Sequence, residues 1–151
     1  MGTTQIDTKI EIKRPVSEVF AACVDVPRWR AWQSRFVEVE QTSPGGFGVG
    51  TKIRTVSAGL GRKVETLSEV TDFVADEVIL FSGGSEALAY QARWSFERLS
   101  DEASGLHVHM ESTPREGSVL AKLVHPWITR VFRRRLDADL ESFKMMLEVE
   151  S

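Results

Sequence analysis

At Pro114 the apolar period of this chain changes from two to about 3.6 residues, and that switch narrows the available folds more than any other feature. Downstream, Val119, Leu120, Leu123, Val124, Trp127, Ile128, Val131, Phe132, Leu136, Leu140, Phe143 and Leu147 recur at helical spacing. Upstream, strands are expected near 35–42, 50–58, 62–73, 77–83, 88–99 and 105–113. Such a meander has one apolar face, and a single long helix is the natural element to cover it. Pro126 falls inside the helical run, where a proline removes a backbone hydrogen bond and clashes with the preceding turn. A break is therefore expected near His125-Pro126, followed by a main helix over about 126–149, about 36 Å long. Val124, Ile128 and Val131 point one way on it, and Leu136, Leu140, Phe143 and Leu147 another. The second set is expected on the core and the first beside an opening.

The chain begins with a strand. Ile6, Thr8, Ile10 and Ile12 alternate with Gln5, Asp7, Lys9, Glu11 and Lys13. Pro15 presets the first turn of a helix that carries Val16, Val19, Phe20 and Cys23 on one stripe. Cys23 lies within that stripe and reads as a small core residue. Asp25-Val-Pro27 ends this helix, because the residue before a proline avoids the helical region. A second short helix, about 27–33, carries Trp29 and Trp32. Ser43-Pro-Gly-Gly46, Gly59-Leu-Gly61 and Asp101-Glu-Ala-Ser-Gly105 supply turns between strands. With 151 residues and no repeat or linker, one domain over 1–151 is expected.

Composition excludes more than it assigns. Nineteen basic and 22 acidic residues give a net charge of −3, which argues against nucleic acid as a partner. One cysteine forms no internal disulfide, and no secretory leader or membrane span is read. Cytoplasmic location is the default expectation.

Local sequence adds to the element order. Arg14-Pro-Val-Ser-Glu-Val-Phe20, then Asp25-Val-Pro-Arg-Trp29 and Trp32, resembles the opening of the polyketide cyclase/dehydrase family of the START-like (SRPBCC) superfamily. Arg134-Arg-Leu-Asp-Ala-Asp-Leu-Glu-Ser-Phe-Lys144 is similar to that family's closing helix. The resemblance implies an α+β helix-grip fold. In it a curved seven-stranded antiparallel sheet surrounds a long C-terminal helix, with two short helices after the first strand. Family members are described as polyketide cyclases or aromatases, coenzyme Q-binding proteins and lipid carriers. No motif here selects among them.

Strand parity indicates which residues face inward. Tyr90, Ala92, Trp94 and Phe96 alternate with Gln91, Arg93, Ser95 and Glu97, and burying the unpaired charges would be costly. By the same reasoning Leu106, Val108 and Met110 face in, and His107, His109 and Glu111 face out. Elsewhere the inward set is lighter: Thr51, Ile53, Thr55 and Ser57 on one strand, and Val64, Thr66, Ser68 and Val70 on the next. Small hydroxyl side chains leave volume unfilled and offer sparse hydrogen-bonding groups, as ligand pockets do. The competing explanation is that Thr and Ser are common in strands, with hydroxyls satisfied by backbone.

The candidate ligand-binding residues are Trp32, Thr55, Ser57, Thr66, Ser68, Tyr90, Trp94, Trp127 and Arg135. Among the Arg130, Arg133, Arg134 and Arg135 run, only Arg135 aligns with Val131 and Ile128, which places it towards the pocket mouth. His107-Val-His109-Met-Glu111 has metal-ligand spacing, but on the face assigned to solvent, so no metal is expected. His125 is read as a cap for the final helix or a catalytic base. Gly45-Gly-Phe-Gly48 connects strands rather than opening a helix, so no phosphate cradle and no cofactor are expected. The expected partner is a small hydrophobic, ring-containing molecule, polyketide- or lipid-like, with a homodimer left open. The alternatives are a cyclase or dehydratase in the same cavity, and a protein-interaction module resembling chaperone activators of the superfamily. Catalytic residues are unassigned.

Overall fold

The alternation at the N-terminus becomes strand β1 (Thr4–Ile12), with Ile6, Thr8 and Ile12 buried and Gln5, Asp7, Lys9 and Glu11 exposed. The computed structural model describes residues 3–59, 61–115 and 126–150, the side chains of 59 and 126–128 excepted. Helix α1 (Val16–Cys23) follows Pro15 and buries Val19, Phe20, Ala22 and Cys23. The segment expected as one short helix is split. A 3-10 turn over Val26–Arg28 leads into α2 (Trp29–Trp32), whose two tryptophans are both buried.

Six strands then run β2 (Phe36–Gln41), β3 (Lys52–Gly59), β4 (Arg62–Val74), β5 (Val78–Gly84), β6 (Leu88–Ser100) and β7 (Ala103–Pro114). They form a meander, and β1 joins it outside β7, giving the order β1-β7-β6-β5-β4-β3-β2 in one antiparallel sheet. Register slips in β2 and in β4 set core residues three positions apart. Between Phe36 and Glu38 the β2–β3 register slips, so Phe36 and Val39 both turn inward although three positions apart. Between Val70 and Asp72 the β4–β5 register slips too, bringing Val70 and Phe73 to the same core.

Helix α3 (Pro126–Val149) starts at the proline where a break was expected. The expected helical run before it, and His125, lie outside the described residues. Leu136, Leu140, Phe143 and Leu147 are each 5% exposed or less and press onto the sheet. The sequence places Val131 on an apolar stripe, but it is 49% exposed. It lies in the half of the helix expected beside an opening. The C-terminal end of α3 is tied to β1 and its following turn. Lys144 Nζ donates to the Glu11 carbonyl at 3.0 Å, and Arg14 Nε to the Leu147 carbonyl at 2.8 Å. The grip is thus built from both apolar burial and backbone carbonyl capture.

Between sheet and helix lies an aromatic core. Trp29, Phe81 and Trp94 pack with ring centroids 4.9–6.0 Å apart, and Trp32 sits 4.5 Å from Phe143. Phe20 meets Phe96 and Phe73 edge-on at 5.0 and 5.4 Å. Cys23 is fully buried, and burial pushes its thiol well above the ordinary range. It has the environment of the core residue expected from its helical stripe.

Candidate functional site

The core does not fill the space between sheet and helix. A cavity of about 270 Å³ remains, just below the ~300–1,000 Å³ typical of ligand pockets. Its wall is uneven. Trp29, Trp32, Phe81 and Trp94 supply flat aromatic surface, with Ala92, Leu106, Val108, Leu136 and Leu140 around them. Thr55 and Ser57 of β3, with Thr66 and Ser68 of β4, form a lightly polar side. Val64 and Phe132 belong to the wall yet are 37% and 41% exposed, so they mark its mouth between β4 and α3.

Of the residues expected from sequence, Trp32, Thr55, Ser57, Thr66, Ser68, Tyr90 and Trp94 come together on this wall. Trp127 lies in the first turn of α3, and its side chain is outside the described residues. Arg135 was expected towards the mouth but is exposed and is not among the described wall residues. Its positive charge nevertheless reaches the site by opposing protonation of Arg35. Residue 135 follows an exposed run of arginines and precedes buried Leu136, so the helix turns it to solvent.

Arg35 is the cation the sequence reading missed. It lies in the short junction between α2 and β2, where neither helical nor strand periodicity applies. Its guanidinium sits 4.4 Å from the Phe36 ring centroid and 5.8 Å from that of Phe132. Nη1 donates to Asp139 Oδ2 at 3.0 Å, and Nη2 to Gln33 Oε1 at 3.2 Å. Asp139 projects from α3 and also accepts from the Ser34 backbone N–H at 3.2 Å and its hydroxyl at 3.0 Å. The side chains of this ion pair are 11% and 2% exposed. Burial lowers the Arg35 pKa, while the Asp139 carboxylate opposes that shift. The only sequence signal for this pairing was an aspartate flanked by the core positions Leu136 and Leu140.

Tyr90 carries the other titratable group on the wall. Its hydroxyl is hydrogen-bonded to Ser68 Oγ across β4 and β6. Burial raises its pKa more than the Ser68 hydrogen bond and the Arg35 charge lower it, so the phenol is protonated at neutral pH. Gln33 and Trp32 complete the α2 side, and both are at most 3% exposed.

The two histidines of the outward-facing triplet are held by β1 rather than by the cavity. His107 Nε2 lies 2.9 Å and His109 Nδ1 2.7 Å from Asp7 Oδ1, and His109 Nε2 lies 3.3 Å from Glu111 Oε1. Among the described residues no group of three or more His, Cys, Asp or Glu is arranged to hold a metal ion.

Comparison with known proteins bears on what such a container is for. The family model for polyketide cyclase / dehydrase and lipid transport proteins matches residues 3–148. The chain belongs to that family. Among solved structures, the Zhui aromatase/cyclase from Streptomyces sp. R1128 superposes with a TM-score of 0.80 at 18% identity, covering 97% of this chain and 94% of that one. A START superfamily protein from Mycobacterium smegmatis gives 0.80 at 11% identity, covering 99% and 100%. At these identities the likeness shows the helix-grip fold alone. No curated protein matches the chain. Membership of the polyketide cyclase/dehydrase family supports a ligand-binding or cyclase role. Among the described residues no helix is long and apolar enough to cross a membrane.

Proposed function

We propose that this member of the family binds a small apolar ring compound, polyketide- or lipid-like, between its sheet and its long helix. The observation that carries this reading is the cavity of about 270 Å³ walled by Trp29, Trp32, Phe81 and Trp94. An engineered cavity of ~150 Å³ accepts one benzene ring. By that scale the space suits about two rings rather than a long acyl chain. Its aromatic faces supply stacking and apolar burial, while the Thr55, Ser57, Thr66 and Ser68 side offers hydroxyls for orientation.

Native mass spectrometry of the purified chain and isothermal titration with two-ring compounds test this reading. The expected result is a one-to-one complex whose affinity falls when Ala92→Trp fills the cavity in a folded variant. Wild-type protein that binds no ring compound, alone or from cell extract, would refute it.

A second reading is favoured by one specific feature, the protonated Tyr90 on the wall. A neutral phenol held by Ser68 beside Arg35 can donate a proton to an oxygen as a bound chain closes or loses water. A cyclase or dehydratase role then places Tyr90 as the acid, with the cavity folding the substrate. Full turnover of an identified substrate by Tyr90→Phe would remove that assignment and leave binding alone.

A further inference from the structure

The net charge of −3 conceals a segregation of charge along the sheet. Turns of an antiparallel meander alternate between its two ends. The β4–β5 and β6–β7 turns place Asp72, Asp76, Glu77, Asp101 and Glu102 at the end away from the cavity mouth. The mouth end is basic. Arg62 and Lys63 open β4 there, and Arg130, Arg133, Arg134 and Arg135 lie on the half of α3 that borders the opening; all six are exposed. The two sets flank the mouth, because Val64 next to Lys63 and Phe132 next to Arg133 both belong to the cavity wall. Carboxylates at this end are fewer among the described residues. Glu86 is exposed on the β5–β6 turn, Glu65 is engaged by Arg54, and Asp137 accepts from the Thr8 hydroxyl.

Arginine ion pairs among the described residues engage Arg28, Arg35, Arg54 and Arg98, and none of the arginines at the mouth. Arg130 and Arg134 are four residues apart on one helix face, where like charges repel at a cost in stability. Apolar side chains lie exposed among them: Val131 at 49%, Phe132 at 41% and Val64 at 37%. Exposed apolar groups beside unpaired arginines match the chemistry of a bilayer interface. There, apolar side chains enter the acyl boundary while arginines reach the phosphates on long apolar stems. An acidic protein face would match the charges, but its carboxylates offer no apolar counterpart to Val131 and Phe132.

We propose that the mouth end of this protein docks on an anionic lipid bilayer. Val131 and Phe132 enter the headgroup region, and Arg130, Arg134 and Arg135 bind lipid phosphates around them. The acidic far end is repelled by the same surface, so the segregated charge turns the mouth towards the bilayer before contact. Docking in this way sets the opening of the cavity against a reservoir of apolar compounds. Surface charge and exposure carry this docking whatever the cavity holds, so it goes beyond the binding reading above.

The test uses the full chain in vesicle flotation, with vesicles of phosphatidylcholine alone or mixed with about one third phosphatidylglycerol. Binding to the anionic vesicles is expected to be at least about tenfold tighter, and to fall steeply between about 0.05 M and about 0.5 M NaCl as the charges are screened. Each arginine near an anionic surface contributes about fivefold in partitioning, so Arg130→Gln/Arg134→Gln should weaken binding about 25-fold. Arg93→Gln, exposed on β6 away from the mouth, should change it less than about twofold. Val131→Ser keeps every charge and should weaken binding about threefold by removing apolar contact. All four positions are exposed, and circular dichroism confirms that the variants fold. Equal binding to neutral and anionic vesicles, or equal losses in Arg130→Gln/Arg134→Gln and Arg93→Gln, overturns the docking, as does unweakened binding by Val131→Ser. Binding to poly-L-glutamate with neither vesicle bound assigns the surface to an acidic protein and overturns it too. None of these readouts depends on ring-compound binding, which the titrations above test separately.

Discussion

Asp139→Ala is the most informative single change, because one carboxylate holds the final helix to the α2–β2 junction on which the cavity's polar end depends. The side chain is 2% exposed and accepts from Ser34 N, Ser34 Oγ and Arg35 Nη1. Truncation leaves three donors without their acceptor, one of them on a buried guanidinium. Breaking a buried pair by removing one partner costs about 3–5 kcal/mol. The Arg35 side chain retains 11% exposure near Phe132 at the mouth, so it can swing partly into water, which favours the lower end of that range. At about 2–4 °C per kcal/mol for a domain of this size, a loss of about 3 kcal/mol lowers the melting temperature by about 6–12 °C. Urea unfolding followed by circular dichroism should show a lower midpoint with an unchanged slope. The control is the Arg35→Leu/Asp139→Leu double variant, which removes both charges and keeps apolar volume. It should recover most of the loss, since apolar replacements of buried pairs are often neutral or better. A loss below about 1 kcal/mol in Asp139→Ala would mean the pair behaves like a surface ion pair. A double variant as unstable as the two single variants added together would mean that the groups do not interact. Either result refutes the reasoning.

Two further outcomes follow from features away from the cavity end. Asp7 first and Glu111 second favour the protonated form of His109 and raise its pKa above 6.5, and the same contact with His109 lowers the Asp7 pKa below 3.8. The His109 contribution is therefore complete below about pH 6.5 and fades as pH rises through its folded value, whereas that of Asp7 fades only as pH falls below 3.8. Urea midpoints measured from pH 6 to 9 should decline less in His109→Gln than in wild type, and parallel curves would contradict the assignment. Gly83 admits no side chain: a Cβ there would lie 2.0 Å from the Leu67 carbonyl oxygen and 2.8 Å from Ser68 Cα. Gly83→Ala must push β5 from β4 beside the Ser68–Tyr90 contact, and it should lower the melting temperature by about 2–12 °C. A variant as stable as wild type would show that the strands separate freely there.

The residues that alternate or recur at fixed spacing could be read without a structure. Ile6 to Ile12, Tyr90 to Phe96 and Leu136 to Leu147 declare their buried faces, because each period ties a side chain's direction to its position along one element. From these the seven strands, the closing helix and the hydroxyl side of the cavity were legible. Local rules failed where the chain changes element or slips register. The bulges after Phe36 and Val70 set core residues three positions apart, a spacing that no strand period declares. Arg35 occupies a junction with no period at all, and Arg135, which the helical count favoured, is turned to water. Asp139 reads in sequence as one acidic residue among several on a charged helix. Only the packing of α3 against the α2–β2 junction buries it and pairs it with a residue 104 positions away. The sequence by itself determined the elements and most of their faces, since those depend on neighbours along the chain. The tertiary structure alone decided which charge enters the cavity and what balances it, because ion pairing depends on distance and burial through space.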